Sequence, residues 1–330
     1  GALISSNVYG LGSTNGTVTI SGGGVLDLGN LTQQQTSVTL SAGTIQDGTL
    51  TNTTIIGASG SNNVTANLAG SGSVTNSGGT NTLSGTNSYA GNTFVAGGLL
   101  NIASGSSLGA TSGNTTITNG TLDLSGGTQQ QALLTFNGNA IATNGTFSNT
   151  AVNLNNNSNT IQVSLIGGSS VTNTSGTNTL TLSNSYTGGT TIAGGALISS
   201  NVYGLGSTNG TVTISGSGVL DLGNLTQQQT SVTLNGGTLQ DGTLTNTTIV
   251  GASGSNNVTA NLAGSGSVNN SGGTNTLSGT NSYTGGTFVN GGTLTASGSG
   301  TFGASTNVLS ISNTGTVDLG TTTQSVGALT

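Results

Sequence analysis

The chain has 330 residues, of which 61 are Gly, 63 Thr, 45 Ser and 41 Asn, and it contains no Lys, Arg, His, Cys, Met, Trp, Pro or Glu. Its six Asp give a net charge of -6, so the cations that a nucleic acid or an anionic membrane surface would need are missing, as are the imidazole and thiolate ligands of zinc sites and the bases that activate a Ser nucleophile. Disorder is the broad class left for such a composition, and an apolar fraction of 31% set in alternating runs argues against it.

The first run is Thr17-Val18-Thr19-Ile20, where β-branched residues alternate with period two and predict a strand. Gly22-Gly23-Gly24 follows as a corner that needs positive φ. In Leu26-Asp27-Leu28 the two Leu share one strand face and the carboxylate takes the other. Gln33 to Gln35 read as a hydrogen-bonding corner ladder or an exposed loop, with partner binding through the amides as the alternative. Ser37-Val38-Thr39-Leu40 and the pair Ile55/Ile56 are the next strands, and Leu83 marks another beyond a Gly-rich stretch. Asn155-Asn156-Asn157 supplies a further corner.

Strands thus recur about every 20 residues, too few for a self-sufficient domain and right for one coil of a parallel β-solenoid whose neighbours bury its apolar face. Gly, Thr, Asn and Ser are weak helix formers, no run is long enough to span a bilayer as a helix, and Pro, which would obstruct a strand ladder, is absent.

Self-similarity has a second, longer period. Residues 1–98 and 195–292 align without a gap and differ at nine positions, none of which changes charge. Residues 99–194 are a diverged copy, in which LGATSGNTTITNGTLDLSGGTQQQ from Leu108 answers LGSTNGTVTISGGGVLDLGNLTQQQ from Leu11. A fourth copy, 293–330, stops inside its unit. The expectation is an all-β chain, one continuous solenoid of tandem units of about 97 residues and about five coils each, taken from a longer array. Open strand edges at both ends would favour end-to-end self-association.

Three segments, TNTLSGTNSYAGNTFVAGG from Thr80, TNTLTLSNSYTGGTTIAGG from Thr177 and TNTLSGTNSYTGGTFVNGG from Thr274, resemble the autotransporter-associated β-strand repeat of bacterial passenger regions and large surface proteins. The resemblance implies a right-handed parallel β-helix, exported, displayed at the cell surface and often adhesive. The Lys common upstream of that motif is missing here.

Few residues could carry chemistry. Asp27, Asp123, Asp221 and Asp318 take the same place in successive units and read as outward, solvated carboxylates. Asp27 and Asp47, like Asp221 and Asp241, lie twenty residues apart, which on a coil of that length stacks them at about 5 Å, the separation of a retaining glycosidase pair; calcium is the other chemistry such a pair could serve. Tyr89, Tyr186 and Tyr283 read as turn residues closing the core with a wet hydroxyl, against a sugar-stacking alternative. Thr pairs at Thr17/Thr19, Thr49/Thr51, Thr211/Thr213 and Thr243/Thr245 motivate ice binding. Sequons such as Asn15-Gly16-Thr17 and Asn52-Thr53-Thr54 arise by chance in this composition, and no Gly-rich stretch has the Lys of a phosphate loop.

The reading is therefore a non-enzymatic structural protein without catalytic, cofactor-binding or metal-binding residues and without a cofactor, extracellular at a cell surface, as part of a fibre, filament or adhesin. Its expected partners are further copies of itself, with host or surface glycans as possible ligands. A glycan- or ice-binding solenoid is the alternative, and a surface glycosidase a remote one.

Overall fold

The computed structural model describes residues 1–330 and forms two compact units: residues 1–153 with 158–165, and residues 154–157 with 166–330. Each is all-β, without a helical residue, and winds as a parallel β-solenoid of coils near 19 residues.

In the first unit one face stacks Val18 on Val38, Ile55, Val74, Thr93, Thr115 and Leu134 in register. The chain advances by 20, 17, 19, 19, 22 and 19 residues at these steps. A second face stacks Leu3 on Leu26, Ile45, Val64, Leu83 and Ile102. In the second unit Val212 stacks on Val232, Ile249, Val268, Thr287 and Leu309, with the same run of steps as Val18 to Thr115. The near-identical copies therefore wind alike.

Alternation decides what each strand buries. In Ser37–Ser41 Val38 and Leu40 are buried while Ser37, Thr39 and Ser41 are half-exposed. Burial needs the adjoining coil: Leu197 has the coil of Thr177–Leu180 against it and is fully buried, whereas its counterpart Leu3 is 57% exposed. At roughly 25 cal/mol per Å² of apolar surface removed from water, each such Leu contributes on the order of 2 kcal/mol to coil stacking. Of the corners expected at Gly22-Gly23-Gly24 and Asn155-Asn156-Asn157, Gly22, Gly23, Asn156 and Asn157 turn through positive φ, while Gly24 and Asn155 do not.

Where the chain leaves one face for the next, backbone groups lose strand partners and buried amides replace them. Gly43 N–H donates to Asn62 Oδ1 at 2.9 Å, and Asn62 Nδ2 donates to Asn81 Oδ1 at 2.7 Å and to Ser59 O at 2.9 Å. Asn81 Nδ2 continues to Asn76 Oδ1 and Gly78 O, and Asn76 Nδ2 ends on Gly97 O at 2.6 Å. The second unit repeats the chain from Gly237 through Asn256, Asn275 and Asn270 to Gly291 O. Space for it is reserved by glycine: a Cβ on Gly57 would lie 2.0 Å from Asn81 Oδ1.

Replacing Asn275 with Ala removes the donor to Gly272 O and Asn270 Oδ1 and the acceptor of Asn256 Nδ2. Groups so orphaned cost about 2–3 kcal/mol together, and amide exchange in the strands Val268–Asn270 and Thr274–Leu277 should accelerate roughly 30- to 150-fold when followed by mass spectrometry.

Candidate functional site

The carboxylate pairs are the first candidates, and the register separates them. One coil on from Asp27 is 19 residues, so its partner is Gln46, not Asp47. Strand alternation would turn Asp47 toward the core, but its φ of 54, followed by Gly48 with φ 151, swings it out to solvent instead. Gln46 Nε2 stands between, donating to Asp27 Oδ2 at 3.1 Å and Asp47 Oδ2 at 2.9 Å. Gln240 does the same for Asp221 and Asp241, at 3.3 and 2.8 Å. In the diverged copy Asn144 replaces the second Asp and donates to Asp123 Oδ2 at 2.9 Å. The arrangement is a polar clasp: two carboxylates share one amide, with neither a stacked acid pair nor a basic group.

Nor is Asp27 merely solvated. It is half-buried, and its Oδ1 accepts the Gly29 N–H at 2.8 Å, fixing the turn through Gly29 and Asn30, both at positive φ. Asp221 makes the same bond to Gly223, Asp123 to Ser125 and Asp318 to Gly320. The repeated Asp is thus a turn former.

The tyrosines are in the core, and the expected wet hydroxyl is dry. Tyr89, Tyr186 and Tyr283 are each 1% exposed, and each hydroxyl pairs with a buried Thr four residues on: Thr93 at 2.7 Å, Thr190 at 2.6 Å and Thr287 at 2.6 Å. Burial pushes all three phenols well above the ordinary value near 10, and the Thr hydroxyl offsets only part of it. No sugar reaches these rings. Beside them Asn87 caps another corner, accepting from Leu68 N–H and donating to Ser107 O.

The glutamines act as internal struts. The outer two of each triplet point inward and the middle one outward. Gln129 accepts from Leu108 N–H at 3.0 Å and donates to Ser106 O at 3.0 Å. Gln131 Oε1 accepts from Thr115 Oγ1 at 3.2 Å. In the near-identical copies Val18 and Val212 stand where Thr115 does, and there Gln35 Oε1 and Gln229 Oε1 are buried with no donor.

On the outer surface, the Thr pairs do not form one array. Thr17 and Thr19 lie on one face, but Thr49 stacks between Thr32 and Asn67 on another. The outer column through Thr19 continues as Thr39, Ile56, Thr75 and Phe94, so aliphatic and aromatic groups interrupt it. Phe94 is 40% exposed, while Phe288 is half-buried, lying over Gly286 where the other copy has Asn92. The aromatic side chains most open to solvent are Tyr9 and Tyr203, which sequence reasoning passed over; the signal was an aromatic inside the polar, Gly-flanked loop SNVYGLG. No group of three or more potential metal-ligating side chains is assembled.

A tandem-repeat parallel β-solenoid is thus the class that the fold defines. Within it, residues 71–102, 174–198 and 270–296 match the passenger-associated-transport-repeat, so the chain carries that repeat three times. Each match holds one of the buried tyrosines with its Thr partner and a corner Asn: Asn81, Asn178 or Asn275. No match was found among curated proteins or solved structures. Repeat and solenoid together point to an autotransporter passenger domain, secreted or surface-exposed.

Comparison of the copies predicts a stabilising substitution. Val212→Thr places a hydroxyl where Thr115 has one and gives Gln229 Oε1 a donor, which should raise stability by about 1 kcal/mol, read as a higher urea midpoint at unchanged slope. Burying a hydroxyl without a partner would lower the midpoint instead.

Proposed function

We propose that the chain is a non-catalytic structural segment of a bacterial surface fibre or autotransporter-like adhesin, acting outside the cell as a rigid repeated surface. The observation that carries this reading is that the passenger-type repeat coincides with the parts that fix the coil: the segment 71–102 contributes four strands together with the buried Asn76, Asn81, Asn87 and Tyr89. The chemistry that recurs in all three matched segments is thereby spent on architecture. Supporting it, the carboxylates closest in the fold are clasped by glutamine amides. What the outside offers is Thr, Ser and Asn in repeated registers, suited to many weak contacts that sum by avidity.

The test is antibody labelling of intact cells that express the natural gene product, with fractionation in parallel. The reading expects labelling without permeabilisation and recovery with the outer surface or the medium. Signal confined to the cytoplasm would overturn it.

A further inference from the structure

The five tyrosines divide into two sets by position. Tyr89, Tyr186 and Tyr283 are sealed in the core with their hydroxyls bound to Thr. Tyr9 is 74% and Tyr203 54% exposed. The exposed two occupy the same place in the near-identical copies, where the diverged copy has Ser106 and the fourth has Gly300, so each compact unit carries one.

Their loop is built to hold the ring outward. Asn201 Oδ1 accepts the Tyr203 N–H at 3.0 Å, and Ser199 Oγ and the Gly204 N–H both donate to Asn201 O. Asn184 clamps the loop from the preceding coil, its N–H donating to Tyr203 O at 3.0 Å and its Nδ2 to Gly204 O at 2.7 Å. Asn7 makes the same turn under Tyr9, at 2.8 Å. With the backbone pinned and Gly beside it, the phenol meets little steric obstruction. The chain also lacks every other readily oxidised side chain, having no Cys, Met, Trp or His to absorb oxidising equivalents first.

We propose that Tyr9 and Tyr203 are oxidative coupling sites through which copies of this chain become joined covalently by dityrosine bonds. The oxidant is a peroxide acting through a peroxidase. Each phenol loses one electron and one proton to give a phenoxyl radical. Two radicals form a carbon–carbon bond between ring positions ortho to the hydroxyls, and each ring regains its aromaticity by moving the displaced ring hydrogen to oxygen. The two electrons and two protons reduce one hydrogen peroxide to two waters. The buried tyrosines are outside this chemistry, because a sealed ring cannot meet a second ring and its phenolic proton has no path to water. Two sites per chain make the protein a bifunctional monomer, so coupling extends into linear polymers. This inference goes beyond the surface-fibre reading and does not require it.

The experiment treats the purified chain with peroxidase and hydrogen peroxide and reads dityrosine fluorescence, denaturing electrophoresis and peptide mass mapping. The wild type should give a ladder reaching high multiples with cross-links confined to Tyr9 and Tyr203. Tyr203→Phe or Tyr9→Phe alone should stop at dimers, and the double variant should give none, each variant keeping the circular dichroism of the parent. Absence of dityrosine, cross-links at Tyr89, Tyr186 or Tyr283, fluorescence without a ladder, or a ladder that survives the single substitutions would each overturn the proposal.

Discussion

A solenoid coil has to turn, and at every turn backbone N–H and C=O groups leave the strand ladder while still inside the molecule. An unpaired buried group of this kind costs on the order of 1–3 kcal/mol, and with several corners per coil the fold would not survive many of them. The rest of the structure depends on how this is met. Here the solution is the primary amide. Asn62, Asn81, Asn76 and Asn87 in the first unit, and Asn256, Asn275, Asn270 and Asn281 in the second, reach backbone donors and acceptors that no strand serves. Because each amide both donates and accepts, one row of them can run from coil to coil.

The unusual composition follows from that solution. Amides and hydroxyls satisfy buried backbone without bringing charge inside, where unpaired ions would be costly. Glycine provides the room and the positive φ that corners require, as at Gly57 beside Asn81 and Gly48 beside Leu31. Val, Ile and Leu fill what remains of the interior in period two. The six carboxylates are used at the rim, where they hold turns and share glutamine amides. Residues that look like a poor basis for chemistry are a consistent set of parts for stacking.

Much of this could be read before the fold was known. Alternation in Thr17–Ile20 and Ser37–Leu40 specifies strands, and Gly22-Gly23 and Asn156-Asn157 specify corners, because these signals are local. The pairing of Asp27 is not legible, since a coil of twenty residues and one of nineteen differ by the single position that puts Gln46, not Asp47, in register with it. Composition and spacing fix the coil length only to within a few residues, and the register needs that last one. The dry tyrosine hydroxyl is harder to read, because its partner lies four residues on, outside any strand alternation. Yet the recurrence of Thr at Thr93, Thr190 and Thr287 was visible in all three copies. The exposed Tyr203 is marked only by its polar, Gly-flanked setting SNVYGLG, a weaker signal than strand alternation.

The central claim is that side-chain amides stand in for strand partners at the corners. Residue-resolved hydrogen exchange by nuclear magnetic resonance tests it at Gly43, Gly237, Leu68 and Leu262, whose N–H groups donate to Asn62, Asn256, Asn87 and Asn281. The account predicts protection at these four amides equal to that of Val38 and Val232 within the strands. Exchange at the rate of an open loop, with the adjoining strands still protected, would contradict it.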